Sequence, residues 1–347
     1  MSFDVLNFPL SIFNYPLICK YPLSINKLSI SFAPLSMIVH NNIHELPRFT
    51  NAVITIGTFD GVHTGHQQII RLMKTEAAKV SGETVIITFH PHPRKIIKPG
   101  DKPVFLLNTL EEKIELLEKA GIDHLVVVPF TEAFANQTAE EYIQDFLVAT
   151  FHPHSIIIGY DHHFGKGRKG NYALLKEKGI EFNYQVKEIP AHLLQEVAIS
   201  STKIRNALLS GHIETANNCL GYPYFFSGLV IAGNKLGRTI GYPTANIQIE
   251  TEDKLTPGNG VYAVEIQNPK AKNQKLGGMM NIGVRPTVDG LNRVIEVNIF
   301  DFDADIYGDT LTITLIKHLR SEKKFNGLDE LKSQLAKDKQ KALEILQ

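Results

Sequence analysis

The stretch Val53-Ile54-Thr55-Ile56-Gly57-Thr58-Phe59-Asp60-Gly61-Val62-His63-Thr64-Gly65-His66 decides the fold. Four β-favouring residues run into a glycine-punctuated turn, and a helical pattern over 65–79 follows at once. A strand that feeds a helix through such a turn is the opening unit of a parallel sheet with crossover helices. The helix start carries unpaired backbone N–H groups and the positive end of a dipole, both of which favour an anion such as a nucleotide phosphate. His63 and His66, three residues apart, share one face of that start. The pair can also be read as ordinary polar residues at a cap. A zinc-protease helix is less apt, because the Glu of His-Glu-x-x-His is absent.

Working outward, strands are expected at 53–56, 84–88, 124–128, 155–158 and 182–186. Helices are expected between them at 65–79, 110–120, 139–149 and, shorter, 171–178. Two helices open with capping boxes, Thr109 with Glu112 and Thr138 with Glu141. The alternation predicts a doubly wound α/β domain whose ligands sit at the carboxyl ends of the strands. After Gly211 the texture changes to β-rich segments at 224–231, 261–266, 278–282, 294–300 and 311–316, with turn glycines and no useful helix between them. These predict antiparallel strands closing into a small barrel. Leu328, Leu331, Leu335, Leu343 and Leu346 then fall at helical spacing, which predicts an amphipathic helix over 328–346 packed on the barrel.

Composition narrows the function class. The 347 residues suggest two domains, and Lys plus Arg equals Asp plus Glu at 36 each, so no net field draws the chain to nucleic acid or to an anionic membrane. Any phosphate must be held by local constellations. Two cysteines, Cys19 and Cys219, exclude a disulfide framework and a Cys-rich metal site, and fit a reducing cytoplasm. Residues 1–36 are apolar but cut by Pro9, Pro16, Pro22 and Pro34, a spacing that forbids a spanning helix. They read as a disordered extension, or as the product of a start set too early with Met37 as the true beginning.

A second phosphate-holding arrangement lies at Ser200-Ser201-Thr202-Lys203-Ile204-Arg205, with hydroxyls at a helix start and an arginine one turn in. Taken alone it is also a well-capped surface helix. Together, His-x-Gly-His after the first strand and Ser-Ser-Thr-x-Ile-Arg near the end of the domain resemble the nucleotidylyltransferase superfamily. Within it, Gly57-x-Phe59-Asp60-Gly61-Val62-His63-x-Gly65-His66 and Thr88-Phe89-His90-Pro91-His92-Pro93 resemble the FMN adenylyltransferase module of bacterial bifunctional FAD synthetases. The resemblance runs from about residue 52 to about residue 340 and implies a Rossmann-like domain over 37–215. It implies in-line attack of the FMN phosphate on the α-phosphorus of ATP, with pyrophosphate leaving. ATP would meet Gly57, Phe59, His63, His66, Ser200, Ser201, Thr202 and Arg205, with the two histidines neutralising developing charge and Arg205 clamping pyrophosphate. Phe89, His92 and Pro93 would line the flavin or nucleotide pocket.

Gly165-Lys166-Gly167-Arg168-Lys169-Gly170 fits the dinucleotide fingerprint G-x-G-x-x-G, but six residues separate it from the strand end and three cations stand among the glycines. A phosphate-facing loop suits it better. The resemblance reads this segment as Gly-x-Asp-Phe-x-Phe-Gly, with Asp161 and Phe164 in the flavin pocket and His162 replacing the first Phe.

Farther on, Gly233 precedes Gly237-Arg238-Thr239-Ile240-Gly241-Tyr242-Pro243-Thr244-Ala245-Asn246. Arg238 sits in a backbone-rich loop, and Thr244 and Asn246, two apart in an extended segment, point their oxygens to one side as Mg²⁺ held with ATP phosphates requires. A turn-rich hairpin would explain the same string. It closely resembles the Gly-Arg-x-x-Gly-x-Pro-Thr-Ala-Asn signature of riboflavin kinases, and the later pieces follow in order: Gly260-Val261-Tyr262-Ala263, Asn281-Ile282-Gly283-x-x-Pro286-Thr287, Glu296, Tyr307-Gly308 and Leu319-Arg320-x-Glu322-x-Lys324-Phe325. This implies a kinase domain over 216–347. Gly233, Gly237, Arg238, Thr244 and Asn246 would hold ATP, Arg320, Glu322 and Phe325 the flavin, and Glu296 would be the general base. The expected ligands are riboflavin, FMN, ATP and Mg²⁺, with no nucleic acid or membrane partner. A flavin-binding regulator without chemistry, and an adenylyltransferase for another phosphate compound, are the competing readings.

Overall fold

The computed structural model describes residues 36–97, 103–159, 162–189, 200–233, 236–268, 275–287 and 290–347. Residues 1–35, Asp161 and Ile199 lie outside them, so the expectations placed on them have no structural counterpart here.

The first layer is a parallel sheet built from β1 Ile38–His40, β2 Val53–Ile56, β3 Thr84–His90, β4 His124–Pro129, β5 Ser155–Gly159 and β6 Gln185–Ile189, in the order β1-β4-β3-β2-β5-β6. β2 lies at its centre with all four residues buried, paired in parallel with β3 on one side and β5 on the other. The chain winds from β2 through β3 to β4, then returns to place β5 on the opposite flank of β2. That reversal opens a crevice beyond the carboxyl ends of β2 and β5, where the glycine turn lies. Both capping boxes form, with Thr109 and Thr138 each exchanging side-chain and backbone bonds with Glu112 and Glu141.

The boundaries differ most from expectation near residue 182. The helix expected over 171–178 runs Tyr172–Phe182 and ends on Asn183 in the left-handed conformation (φ 56°, ψ 47°). Asn tolerates that geometry better than most residues, so the helix extends and the next strand begins at Gln185 rather than at 182. β1 was not anticipated, because three residues with no buried run leave no periodic signal.

The second part is a closed barrel, as expected. Its strands are β7 Phe225–Ile231, β8 Ala245–Gln248, β9 Gly260–Gln267, β10 Lys275–Thr287, β11 Gly290–Ile299 and β12 Thr310–Arg320, in the order β10-β11-β8-β7-β12-β9. β10 and β11 are longer than the apolar runs suggested, because their ladder continues through polar residues as far as the Thr287–Gly290 pair. In β8 only Ile247 is buried, so hydrophobic patterning does not mark it as a separate strand. Tyr262, Val264, Met280, Val297, Ile313 and Leu315 fill the barrel. Ile204 and Leu208 of the helix Ser201–Leu209, and Ile213, Ala216 and Leu220 of the helix Ile213–Leu220, belong to the same core. The terminal helix Leu328–Leu346 covers the outside of the barrel, with Leu335, Ala342 and Leu346 packed near Ala263, Met279 and Phe300.

A buried cation fastens the two parts. Lys254, 3% exposed, pairs with the Glu112 carboxylate and donates to the carbonyls of Leu107 (2.7 Å) and Phe225 (2.9 Å), with the Tyr224 ring 4.7 Å away. Backbone bonds from Leu106 to Asp253 (2.6 Å) and from Leu255 to Leu106 (2.8 Å) flank it.

Candidate active sites

The turn after β2 is tightly constrained. Gly57 donates its N–H to Ile87 (3.0 Å), and Phe59 (φ 48°), Gly61 (φ 90°) and Val62 (φ 34°) all take left-handed conformations. Such geometry is costly for Phe and Val and persists where the surroundings over-determine it. Here both side chains are 2% exposed. Tyr222 donates its hydroxyl to Gly61 O (2.6 Å), Ser201 Oγ donates to Asp60 O (2.9 Å), and Gln67 Nε2 donates to Leu220 O (2.9 Å). The loop is therefore held by residues more than 130 positions away, including the Ser201 of the second phosphate-holding string.

His63 caps the helix Thr64–Lys79, its Nδ1 accepting from the His66 N–H at 3.4 Å. The two rings stack with centroids 3.7 Å apart and planes 15° from parallel, so the shared face expected from their spacing is present. Burial lowers the His63 pKa to about 4 and pushes His66 well below the usual imidazole value. Both are neutral in the free chain near pH 7. In that form they can donate or accept hydrogen bonds. His66 Nδ1 is buried and has no hydrogen-bond partner among the described residues.

One source of charge is Arg205. Its guanidinium pairs with the buried Asp60 carboxylate and donates from Nε to Phe105 O (2.6 Å). Asp60 also accepts from the N–H of Leu107 (2.8 Å) and so ties the 105–108 segment to the loop. Ser200 caps its helix, accepting from Lys203 N at 3.2 Å, while Thr202 is exposed. His92 feels the charges of Asp60, Arg205 and Lys113, which places it at this site, and burial lowers it to about 4. Pro93 opens the short helix Pro93–Ile97, where its missing N–H costs nothing.

Two proposed flavin contacts sit differently. Phe89 packs against Phe130 (5.3 Å) and Phe134 (5.5 Å) in an aromatic cluster. Phe164, 6% exposed, lies 5.0 Å from Tyr142 in the core and bridges to Gly170, where an added Cβ would come within 2.3 Å of its ring. Its ring packs against both the loop and the core. Gly165 and Gly167 are left-handed turn residues within that loop, not the close of a strand, which agrees with setting the dinucleotide fingerprint aside.

Charge-bearing residues beyond the expected set complete this site. Asp60 was visible in the motif without a role, and its pairing with Arg205 spans 145 residues, which no local pattern reveals. Lys113, 8% exposed, reaches Thr88 Oγ1 at 3.3 Å from the helix Leu110–Lys119. In a run of Glu and Lys nothing singles it out.

The barrel holds two adjoining spaces. A cleft of 540 Å³ is lined by Val230, Arg238, Thr244, Asp305 and Tyr307, and a smaller cavity of 210 Å³ by Thr244, Asn281, Glu296, Arg320, Glu322 and Phe325. Thr244 lines both and so stands at their boundary. Gly237 is required where it is, since a Cβ there would lie 2.2 Å from Tyr242 O, and at Gly233 it would meet the Asn246 amide at 2.0 Å. Asn246 faces Glu296 across the β8–β11 pair, and Glu296 faces Asn281 across β11–β10, so the three share one row. The facing of Glu296, open in the sequence, is thereby settled: Ile295 and Val297 are core residues and Glu296 turns to the cavity, paired with Arg285. Arg320 lies on the cavity wall, but its guanidinium is engaged by the buried Asp338 at 2.8–3.1 Å and lies 5.7 Å from the Phe325 ring. Glu322 accepts from Asn259 Nδ2 at 3.0 Å and crowds Gly283.

With this geometry in place, the similarities to known proteins divide the chain in the same way. The sequence model of the FAD synthetase family matches residues 46–203, and that of the riboflavin kinase family matches residues 220–346. A protein of Escherichia coli strain K12 named bifunctional riboflavin kinase/FMN adenylyltransferase is 37% identical over 305 residues, covering 88% of this chain and 96% of its own. A protein of the same name from Listeria monocytogenes is 40% identical over 291 residues, covering 84% of this chain and 91% of its own. Among solved structures, one described as a macrolide-efflux protein from Streptococcus pneumoniae superposes with a TM-score of 0.77 at 32% identity, over 88% of this chain and 97% of that one.

Proposed function

The chain belongs to the family of bifunctional riboflavin kinase/FMN adenylyltransferases, and we propose that it phosphorylates riboflavin to FMN in its barrel and adenylylates FMN to FAD at the His63–His66 helix start. The observation that carries this reading is the position of Thr244 at the boundary of two spaces, one with Arg238 and one with Glu296. A nucleotide in the larger cleft and riboflavin in the smaller cavity would meet there. Glu296 would take the proton of the ribityl 5′-hydroxyl as that oxygen forms its bond to the γ-phosphorus and the bond to the ADP oxygen breaks. Arg285 would orient the carboxylate.

Thr244 and Asn246 offer hard oxygen donors on one side of the extended segment, and the absence of a side chain at Gly233 makes room for the amide, so the pair fits Mg²⁺. When bound with ATP the ion supplies charge neutralisation at the phosphates. Arg238 adds a permanent cation to the cleft.

In the second reaction the FMN phosphate attacks the α-phosphorus, and pyrophosphate takes the electron pair of the breaking bond. No proton need be removed from the attacking group. Catalysis is therefore positioning and charge stabilisation. His63, His66 and the N-terminal amides of the helix Thr64–Lys79 would act as donors, and Arg205, aimed by Asp60, as the cation. Arg320 contributes by holding the cavity wall to the terminal helix. A cytoplasmic location is part of the same proposal, supported by the scarcity of cysteine. Among the described residues no helix is long and apolar enough to cross a membrane.

Incubation with riboflavin and Mg-ATP, followed by chromatographic separation of the flavins, tests the proposal. FMN and then FAD are expected. Folded protein that binds riboflavin yet forms neither, with oxidised or reduced flavin, would establish the regulator reading instead.

A further inference from the structure

Lys113 follows Glu112 on the helix Leu110–Lys119, but while Glu112 turns to Lys254, Lys113 reaches β3, where its Nζ donates to Thr88 Oγ1 at 3.3 Å. The Thr88 hydroxyl in turn donates to Thr58 O at 3.3 Å. Among the described residues no carboxylate lies within 4.0 Å of this ammonium, although it is 92% removed from solvent. The titratable groups that face it are Asp60 in the β2 turn, His66 on the helix Thr64–Lys79 and His92 after β3. A buried ammonium with one long bond to a neutral hydroxyl is under-compensated. The buried Nδ1 of His66 also has no partner among the described residues. The His66 deficit lies at the helix start, where backbone N–H groups already favour an anion, and Thr88 links Lys113 to the turn that precedes it.

We propose that Lys113 is a second, positioning cation of the adenylyl-transfer site: from its place on Thr88 its charge draws the nucleotide's phosphates toward the His63–His66 helix start. The proposal rests on reading that helix start as the site of FAD formation. It also explains how a site whose histidines are uncharged attracts a polyanion while Arg205 is paired with Asp60.

Burial lowers Lys113 to about 8, with Asp60 opposing the shift. Its charge is therefore present below that pH and lost above it. In the wild-type chain, kcat/KM for FAD formation from FMN and ATP should fall above about pH 8, while FMN formation by the same molecules should not follow that fall. Lys113→Met should reduce FAD formation about ten- to a hundredfold near pH 7 and leave riboflavin phosphorylation intact. Lys113→Arg, charged at every accessible pH, should recover most of the loss and abolish the alkaline fall. A Lys113→Met protein with normal kinase activity and FAD formation within twofold of wild type would overturn the proposal. So would an unchanged alkaline fall in Lys113→Arg, which decides the matter if the Met variant does not fold. Wild-type protein that forms no FAD at any pH would instead remove the reading of the site, and the proposal with it.

Discussion

Asp60→Asn removes one charge from the turn after β2 and leaves its shape nearly intact. The Asn oxygen can still accept from Leu107 N, now 2.8 Å from the carboxylate. What disappears is the ion pair with Arg205, whose side chain is 15% exposed against 4% for Asp60. Removing one partner of a buried pair costs about 3–5 kcal/mol, and the residual exposure of Arg205 and its bond to Phe105 O place this case near 3 kcal/mol. At about 2 °C per kcal/mol for a large cooperative unit, the melting temperature should drop by about 6 °C. Arg205 would then be aimed by Phe105 alone, and a misplacement of about 1 Å costs on the order of a hundredfold in rate. Calorimetry and flavin chromatography on the same preparation provide the assay. Expected are a lower melting temperature, FAD formation down about tenfold to a hundredfold, and riboflavin phosphorylation unchanged below the transition. A melting temperature within about 1 °C of wild type together with full FAD synthesis would refute the view that Asp60 organises this site.

Glu296→Gln keeps the length of the side chain but cannot accept a proton, so riboflavin phosphorylation should fall about 10²- to 10⁴-fold while FAD formation from supplied FMN continues. Replacing His63 and His66 by Ala should produce the opposite separation, suppressing FAD formation with FMN formation retained; equal loss of both in folded protein would contradict two separate sites. Burial holds His63 and His92 near 4, against about 6.5 in the unfolded chain, so between these values the unfolded state binds protons that the folded state does not. Stability should be full above pH 6.5 and decline as pH falls toward 4, and His63→Asn should flatten that decline in urea-unfolding curves; an identical pH slope in the variant would show that His63 is not buried neutral.

The parts legible in the sequence are those in which one short string both shapes the backbone and carries the chemistry. The run from Val53 to His66 announces strand, turn and helix, and its two histidines meet because a helix places positions three apart together. The Gly237-to-Asn246 string is similarly self-contained; Gly237 proves to be demanded by the neighbouring Tyr242 carbonyl, and Gly241 by its left-handed φ of 85°. What stayed hidden depends on pairings across long separations. Asp60 meets Arg205, and Glu112 meets Lys254, only after the sheet, the linking helices and the barrel have closed together. Arg320 matched its motif, yet its partner Asp338 is one acidic residue among many on the terminal helix. Phe164 likewise matched a ligand-pocket pattern, and its packing against Tyr142 and Gly170 is a contact that the pattern does not show. Periodicity also says nothing of Asn183, whose left-handed cap decides where a helix ends.

The central claim is that one chain uses two molecules of ATP in two chemically different ways. ATP labelled in the γ-phosphate, and in parallel ATP labelled in the α-phosphate, should be supplied with riboflavin and the FAD isolated from each reaction. The account predicts that FAD from the γ reaction carries one label in its flavin-side phosphate and FAD from the α reaction one label in its adenylate, with FMN labelled in the γ reaction alone. FAD without label in the γ reaction, or FAD without label in the α reaction, would contradict it.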